Sequence, residues 1–250
     1  MSGLDRAIGL ARSLAIYHAI PGRQRRLRTL YAQFVRAGEL AFDVGAHAGN
    51  RVRALSALGA RVLALEPQPD FQRLLRLVVG RDPRVTLIEA AVGAMPGRAT
   101  LALSERTPTV TTLAGDWREA RSRDADFAGV QWNRHLEVEV TTLDRLIAQH
   151  GVPAFVKIDV EGHEAAVLAG LSQPIAALSF EYLPAALESV DACLQRLATL
   201  GDYRFNWSLG ESFTLAAPGW LDAEALRRAL RAPQAQRGSG DIYAQRTSRS

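Results

Sequence analysis

Hydrophobic and polar positions along the chain fall into short apolar runs separated by amphipathic stretches. Leu40-Ala41-Phe42-Asp43-Val44 is an apolar run with one acid inside it, Gly45 and Gly49 follow, and an amphipathic stretch then runs from Arg51 to Leu58. That order predicts a buried strand, a glycine turn and a helix over 50–58, the arrangement that brings backbone against a nucleotide-like ligand. Gly45 permits the sharp turn, and Gly49 is expected to let the backbone approach a ligand with no Cβ in the way. Arg61 to Glu66 is a second strand, closed by Pro67. Asp70 to Val79 is a helix with Phe71, Leu74, Leu75 and Val78 facing inward, and Val85 to Glu89 is a third strand running into Ala90-Ala91-Val92-Gly93. Strands separated by helices of this length imply right-handed crossovers and a largely parallel sheet covered on both faces.

The same pattern continues toward both ends. Leu4, Ile8, Ala11 and Ala15 predict an amphipathic helix over 3–20 that stops before Pro21-Gly22, and packing on the protein's own core is its simplest use. Leu27, Leu30, Tyr31 and Phe34 predict a second helix over 23–36, ended by Gly38. Residues 98–142 break the rhythm. Ala99–Leu103 and Leu136–Val140 read as strands flanking a polar stretch with Thr107 to Thr112, Trp117 and Trp132, an insertion expected to border the substrate pocket. Helices over 143–150, 163–169, 185–200 and 223–230 follow, with strands over 154–159, 175–181, 203–207, 213–215 and 241–244. The polar residues after Gln245 are expected to fray. The division expected is a helical cap over 1–38 and one α/β unit over 39–250.

Composition narrows the classes. The chain has 250 residues, 48% hydrophobic and 22% charged, values suited to one sizeable globular core. Its net charge of +4 is carried almost entirely by arginine, and Lys157 is the only lysine. No broad basic face with interleaved aromatics stands out, so nucleic acid is not the expected partner. Cys193, the single cysteine, sits in an apolar helical pattern and reads as a small core residue, which leaves no intrachain disulfide and no cysteine metal cluster. No run approaches the ~20 apolar residues of a membrane span. Asp5, Arg6 and Arg12 interrupt the N-terminal apolar residues as no signal peptide would, so a cytoplasmic location is expected.

Two stretches carry candidate chemistry. Asp43-x-Gly45-x-x-x-Gly49 differs from the dinucleotide pattern G-x-G-x-x-G in its spacing and in the acid within the strand. A pyrophosphate favours a helix N-terminus free of nearby anions, whereas a carboxylate suits a ligand with a positive group, such as the amino-acid end of S-adenosylmethionine. The alternative for Asp43 is a buried acid bonding to loop N–H groups. Glu66 ends the second strand about 20 residues later, where an acid accepts hydrogen bonds from ribose hydroxyls. The second stretch is Lys157-Ile158-Asp159-Val160-Glu161-Gly162-His163-Glu164. Asp159, Glu161 and His163 could converge there on a substrate hydroxyl, and His163 has the unperturbed pKa best suited to removing its proton. The alternatives are helix capping for Glu161 and a surface turn for His163. Asp159 and Glu181 end neighbouring strands, yet the usual further ligands are missing, so no metal is expected.

These segments resemble the FkbM-type methyltransferases. The resemblance runs from about Phe34 to Tyr182, through Phe42-Asp43-Val44-Gly45-Ala46 with Gly49, Leu65-Glu66-Pro67, Ala91-Val92-Gly93, Thr142-Leu143-Asp144, Lys157 to Glu164, and Phe180-Glu181-Tyr182. It implies a class I Rossmann-like methyltransferase fold, a mostly parallel seven-stranded sheet with its last strand antiparallel, and S-adenosylmethionine as methyl donor. It also implies O-methylation of a hydroxyl on a sugar, glycan or secondary metabolite. Carried over by position, Asp43, Gly45 and Glu66 hold the cofactor, with Ala46, His47, Gly49, Pro67 and Ala91 around it and Asp159 beside it near the acceptor. His47 stands where the family usually has Asn, and Val52 where Ser or Thr is common. The rival readings are a nicotinamide-dependent oxidoreductase, disfavoured by Asp43 and the missing third glycine, and a non-catalytic binding protein on the same fold. Oligomeric state is left open.

Overall fold

The computed structural model describes residues 20–104 and 132–247. The helix expected over 3–20, all but its last residue, and the centre of the 98–142 insertion lie outside the described residues.

Seven strands form the main sheet, in the order β3-β2-β1-β7-β8-β10-β9. They are β1 (Leu40–Val44), β2 (Arg61–Leu65), β3 (Val85–Ile88), β7 (Phe155–Ile158), β8 (Ala177–Tyr182), β9 (Tyr203–Leu209) and β10 (Gly240–Arg246). β1 lies third in that order, parallel to β2 on one side and β7 on the other, and all five of its residues are buried. Burial on both faces is why its pattern reads as continuous rather than alternating. β10 runs antiparallel between β8 and β9, as expected for the last strand.

Alternate residues of these strands feed two cores. Phe42, Val44, Leu63, Leu65, Val156, Ile158 and Ile242 face the larger one. It is covered by apolar residues of α4 (Leu143–His150), α5 (Glu164–Ala169), α6 (Leu187–Leu200) and α7 (Ala223–Arg231). Ala41, Val62, Ala64, Phe155 and Tyr243 face the other, under α1 (Arg23–Tyr31), α2 (Asn50–Ala57) and Leu75 of α3 (Pro69–Val78). Caps begin several helices where the sequence supplies them. The Thr142 hydroxyl accepts from the Arg145 N–H at 3.2 Å, and Asp222 accepts from the Ala225 N–H at 2.7 Å. Pro69 opens α3, where its missing N–H costs nothing.

The insertion contributes two strands, β5 (Gly97–Ser104) and β6 (Trp132–Thr141), to a second sheet completed by β4 (Ala91–Val92), in the order β4-β6-β5. β5 and β6 were expected; β4 and the separation of all three from the main sheet were not. Two other expectations are corrected. The helix predicted over 23–36 ends at Tyr31, because the chain turns and Phe34 stacks instead on Phe155 and Tyr243, with centroids 5.2 and 5.7 Å apart. No strand forms over 213–215. Phe213 takes a left-handed φ of 55°, which extended pairing does not accommodate. The Asn206 side chain accepts from the Ala217 N–H in place of a ladder bond there.

Candidate functional site

The carboxyl edge of β1, β2 and β7 opens into one cavity with about 840 Å³ of empty space, part of it open to solvent. In an open parallel sheet this is the edge where ligands bind. Both sequence motifs reach it. Gly45, Ala46 and His47 line it from the β1 loop, Glu66 and Pro67 from the end of β2, Ala91 from β4, and Asp159, Glu161 and His163 from beyond β7. Leu101 of β5 brings the insertion to the same wall, as expected of it.

Asp43 and Gly49 are not on the lining. Asp43 is fully buried within the sheet, and among the described residues neither of its carboxylate oxygens has a hydrogen-bond partner. The loop N–H groups of the alternative reading go elsewhere: Gly45 and Ala46 both donate to the Leu65 carbonyl, at 3.0 and 2.9 Å. Burial pushes Asp43 up to about 6, against the pull of Arg51 and Lys157. Gly49 has a φ of 77°, and a Cβ there would meet Leu75 Cδ2 at 2.8 Å. Its bare backbone therefore makes room for α3 rather than for a ligand. Gly45, with φ 84°, is needed on two counts, since a Cβ would also overlap the Asp159 carbonyl oxygen. The turn after β1 is thus packed directly against the residue that follows β7.

Glu66 organises the loop side. Its two oxygens accept from the His47 N–H at 3.0 Å and the Gln68 N–H at 2.9 Å, which ties the β1 loop to the end of β2. Burial pushes its carboxyl up to about 7 despite those bonds. His47 sits at φ 48°, a conformation that Asn and His tolerate better than most residues, so its replacement of the family's usual Asn keeps the turn. Its ring packs on Phe71 at 3.7 Å between centroids, and burial pushes its pKa down to about 3, so the ring is neutral.

The opposite side is charged. Lys157 is fully buried, with Nζ 2.8 Å from Asp241 Oδ1 and 3.3 Å from Asp159 Oδ2. Arg51 Nη2 lies 3.4 Å from Glu211 Oε1, 3.9 Å from Asp159 Oδ2 and 4.0 Å from Asp241 Oδ2. Arg23 of α1 completes the chain of charges at 3.0 Å from Glu211. Burial alone would raise Asp159, but Lys157 and Arg51 outweigh it and hold the carboxyl below its usual range. For Lys157, likewise, burial opposes the charge and Asp159 and Asp241 overcome it. His163 is different: burial lowers its pKa, with no charged partner among the described residues to offset the effect, so at neutral pH it offers a free-base imidazole to the cavity. The capping alternative falls to a neighbour, because Glu164 Oε1 accepts from the Val160 and Gly162 N–H groups, both at 3.2 Å, while Glu161 and His163 face the cavity.

Asp159, Glu161 and Glu181 also bring carboxylate oxygens within 4.8 Å of one another, and Glu181 is driven well above its usual range by burial and by those two neighbours. Acidic triplets of this kind are common without an ion.

With this geometry in hand, the match to known families is decisive. Residues 43–202 match the methyltransferase FkbM domain, more than half of the chain. The chain belongs to the FkbM methyltransferase family. It is a methyltransferase of the S-adenosylmethionine-dependent kind. The matched span holds every lining residue of the cavity and both of its motifs. No curated protein sequence matches the chain. Among solved structures, precorrin-6y C5,15-methyltransferase from Geobacter metallireducens GS-15 is 14% identical with a TM-score of 0.44, covering 89% of this chain and 86% of that one. A putative methyltransferase from Streptococcus mutans, in complex with SAH, is 12% identical with a TM-score of 0.43, over 88% and 95%.

In this FkbM methyltransferase, further residues that no sequence motif singled out meet at or beside the cavity. Asn50, Arg51 and Gln68 line the cavity, while Glu211 and Asp241 reach Arg51 from beyond the matched span. Two signals were available. An arginine in the first turn of a helix opposes the helix dipole, and the only lysine lies in an otherwise apolar strand; each asks for a counter-charge.

Proposed function

We propose that the chain transfers a methyl group from S-adenosylmethionine to a hydroxyl of a sugar, glycan or secondary metabolite. The observation that carries this is the union of the two motifs in one acid-weighted cavity. Its charged lining is Arg51 against Asp159 and Glu161, with Glu66 divided between its two protonation states near neutral pH, while burial drives His47 and His163 toward neutrality. Such a wall favours a sulfonium ligand of net positive charge over a dinucleotide whose pyrophosphate is anionic.

The residues present also fit the donor's polar groups. Asn50 is 3% exposed, and among the described residues its amide nitrogen has no acceptor; nor has the buried Arg51 Nε. Both residues line the cavity, where a ligand carboxylate would satisfy them. Glu66 keeps lone pairs beyond those taken by His47 and Gln68, suited to ribose hydroxyls. Gly45, Ala46, Pro67 and Ala91 complete the wall around such a ligand.

When bound, S-adenosylmethionine supplies a methyl group already activated by the positive sulfur. The chain's own task is then alignment, worth up to ~7 kcal/mol or more, with assistance in deprotonating the acceptor. His163 is the base we assign, because its burial keeps it unprotonated. Asp159, held as a carboxylate by two cations, is a weak base and serves as fixed negative charge at the cavity wall. Glu161 is placed to orient the acceptor. Methylation with a donor labelled in its methyl group, across matched hydroxyl and amine acceptors, tests the reading. Label on oxygen, lost in His163→Ala, is expected; label appearing only on amines or nucleic acid would refute it.

A further inference from the structure

Asp241 lies outside the family match and does not line the cavity, yet it makes the shortest contact to Lys157. It sits on β10, opposite Glu181 of β8 in the antiparallel register. Its two oxygens divide between the buried cations: Oδ1 lies 2.8 Å from Lys157, and Oδ2 lies 4.0 Å from Arg51. Asp159 meets the same two cations through a single oxygen, at the longer distance of 3.3 Å to Lys157 and at 3.9 Å to Arg51. The remaining acid at Arg51, Glu211, is shared with Arg23.

The balance of charge follows from these contacts. Arg51 and Lys157 face Asp159 and Asp241, two cations against two carboxylates. Asp241 takes the close contact with Lys157, so the negative charge of Asp159, which does line the cavity, is only partly cancelled. Without Asp241, Lys157 would turn wholly to Asp159, and the wall would gain one positive charge. A buried lysine has no water to turn to instead.

We propose that Asp241 is a positioning residue that sets the charge of the cavity wall through Lys157. On this account it decides how strongly the cavity prefers a cationic sulfonium ligand to its neutral thioether product. The role depends on S-adenosylmethionine being the ligand. It gives the last strand a part in function: the balance of affinities between the donor and its thioether product is set in part from β10.

Calorimetric titration of the full chain with S-adenosylmethionine and with S-adenosylhomocysteine tests this. Asp241→Asn is expected to weaken the sulfonium ligand on the order of tenfold, the scale of one unit charge acting across a protein cavity, and the thioether by less than about threefold. The double variant Lys157→Met with Asp241→Asn removes one charge of each sign. It is expected to bring the ratio of the two affinities back to within about threefold of the wild type. Equal weakening of both ligands in Asp241→Asn, or no change in either, would overturn the proposal. If that variant does not fold, the double variant decides alone, and an affinity ratio shifted toward the thioether would overturn it. A wild-type chain that binds neither ligand would refute the donor assignment itself, a result distinct from an altered ratio.

Discussion

The two sides of the cavity are built on opposite physical plans. On the β1–β2 side a single acid, Glu66, spends its oxygens on two backbone N–H groups, and glycine conformation gives the loop its path. On the β7–β10 side, buried charges hold one another, across 84 residues of sequence in the case of Lys157 and Asp241. The first plan determines shape and the second determines field. A change on the loop side should therefore act through geometry and stability, and a change on the charged side through ligand charge and pH.

The largest effect tests the geometric side. Gly45→Ala forces a Cβ onto the Asp159 carbonyl at a φ of 84°, so it should cost at least about 3 kcal/mol by denaturant unfolding and abolish ligand binding. A variant of wild-type stability would show that the two sides do not meet as described. Next, His163→Ala should lower kcat by about 10²–10⁴-fold while leaving donor affinity nearly unchanged, since its part is proton removal and not binding. An equal loss in both quantities would move His163 from chemistry to binding.

Glu66→Gln sharpens the contrast through pH. Burial places the folded carboxyl at about 7, above its ordinary 4.5, so the folded state holds that proton more tightly than the unfolded chain does. Stability from this group is full below pH 4.5 and is lost as pH rises through about 7. Glutamine does not titrate, so the variant should gain in melting temperature relative to wild type between pH 4.5 and 7.5, while binding the donor about tenfold more weakly. A gap that is constant with pH would argue against burial as the cause. The smallest effect expected is that of chelation. EDTA should leave turnover unchanged, and a loss reversed by added Mg²⁺ would give the Asp159–Glu161–Glu181 triplet a cation to hold.

The same contrast explains what was legible in the sequence. Strands and helices announced themselves through local period, and the loop side of the cavity through residues close together in the chain, from Gly45 to Glu66. Even there, the surroundings of Asp43 and Gly49 were not legible, because one is sealed within the sheet and the other faces α3, and spacing alone cannot say which way a residue points. The charged side depends on register between β7, β8 and β10, which no local pattern encodes. Lys157 signalled the need for a partner, but only the antiparallel pairing of β10 supplied Asp241. The strand predicted over 213–215 failed for a related reason: Phe213 is apolar enough for a strand, but it sits in a left-handed turn with its ring buried in the second core, a tertiary contact that no local pattern encodes.

The central claim is that this cavity takes S-adenosylmethionine. Titration calorimetry on the full chain with S-adenosylmethionine and, separately, with NAD addresses it most directly. Saturable one-to-one binding of the sulfonium ligand and no heat from NAD is the predicted result. Saturation by NAD with no response to S-adenosylmethionine would contradict the account.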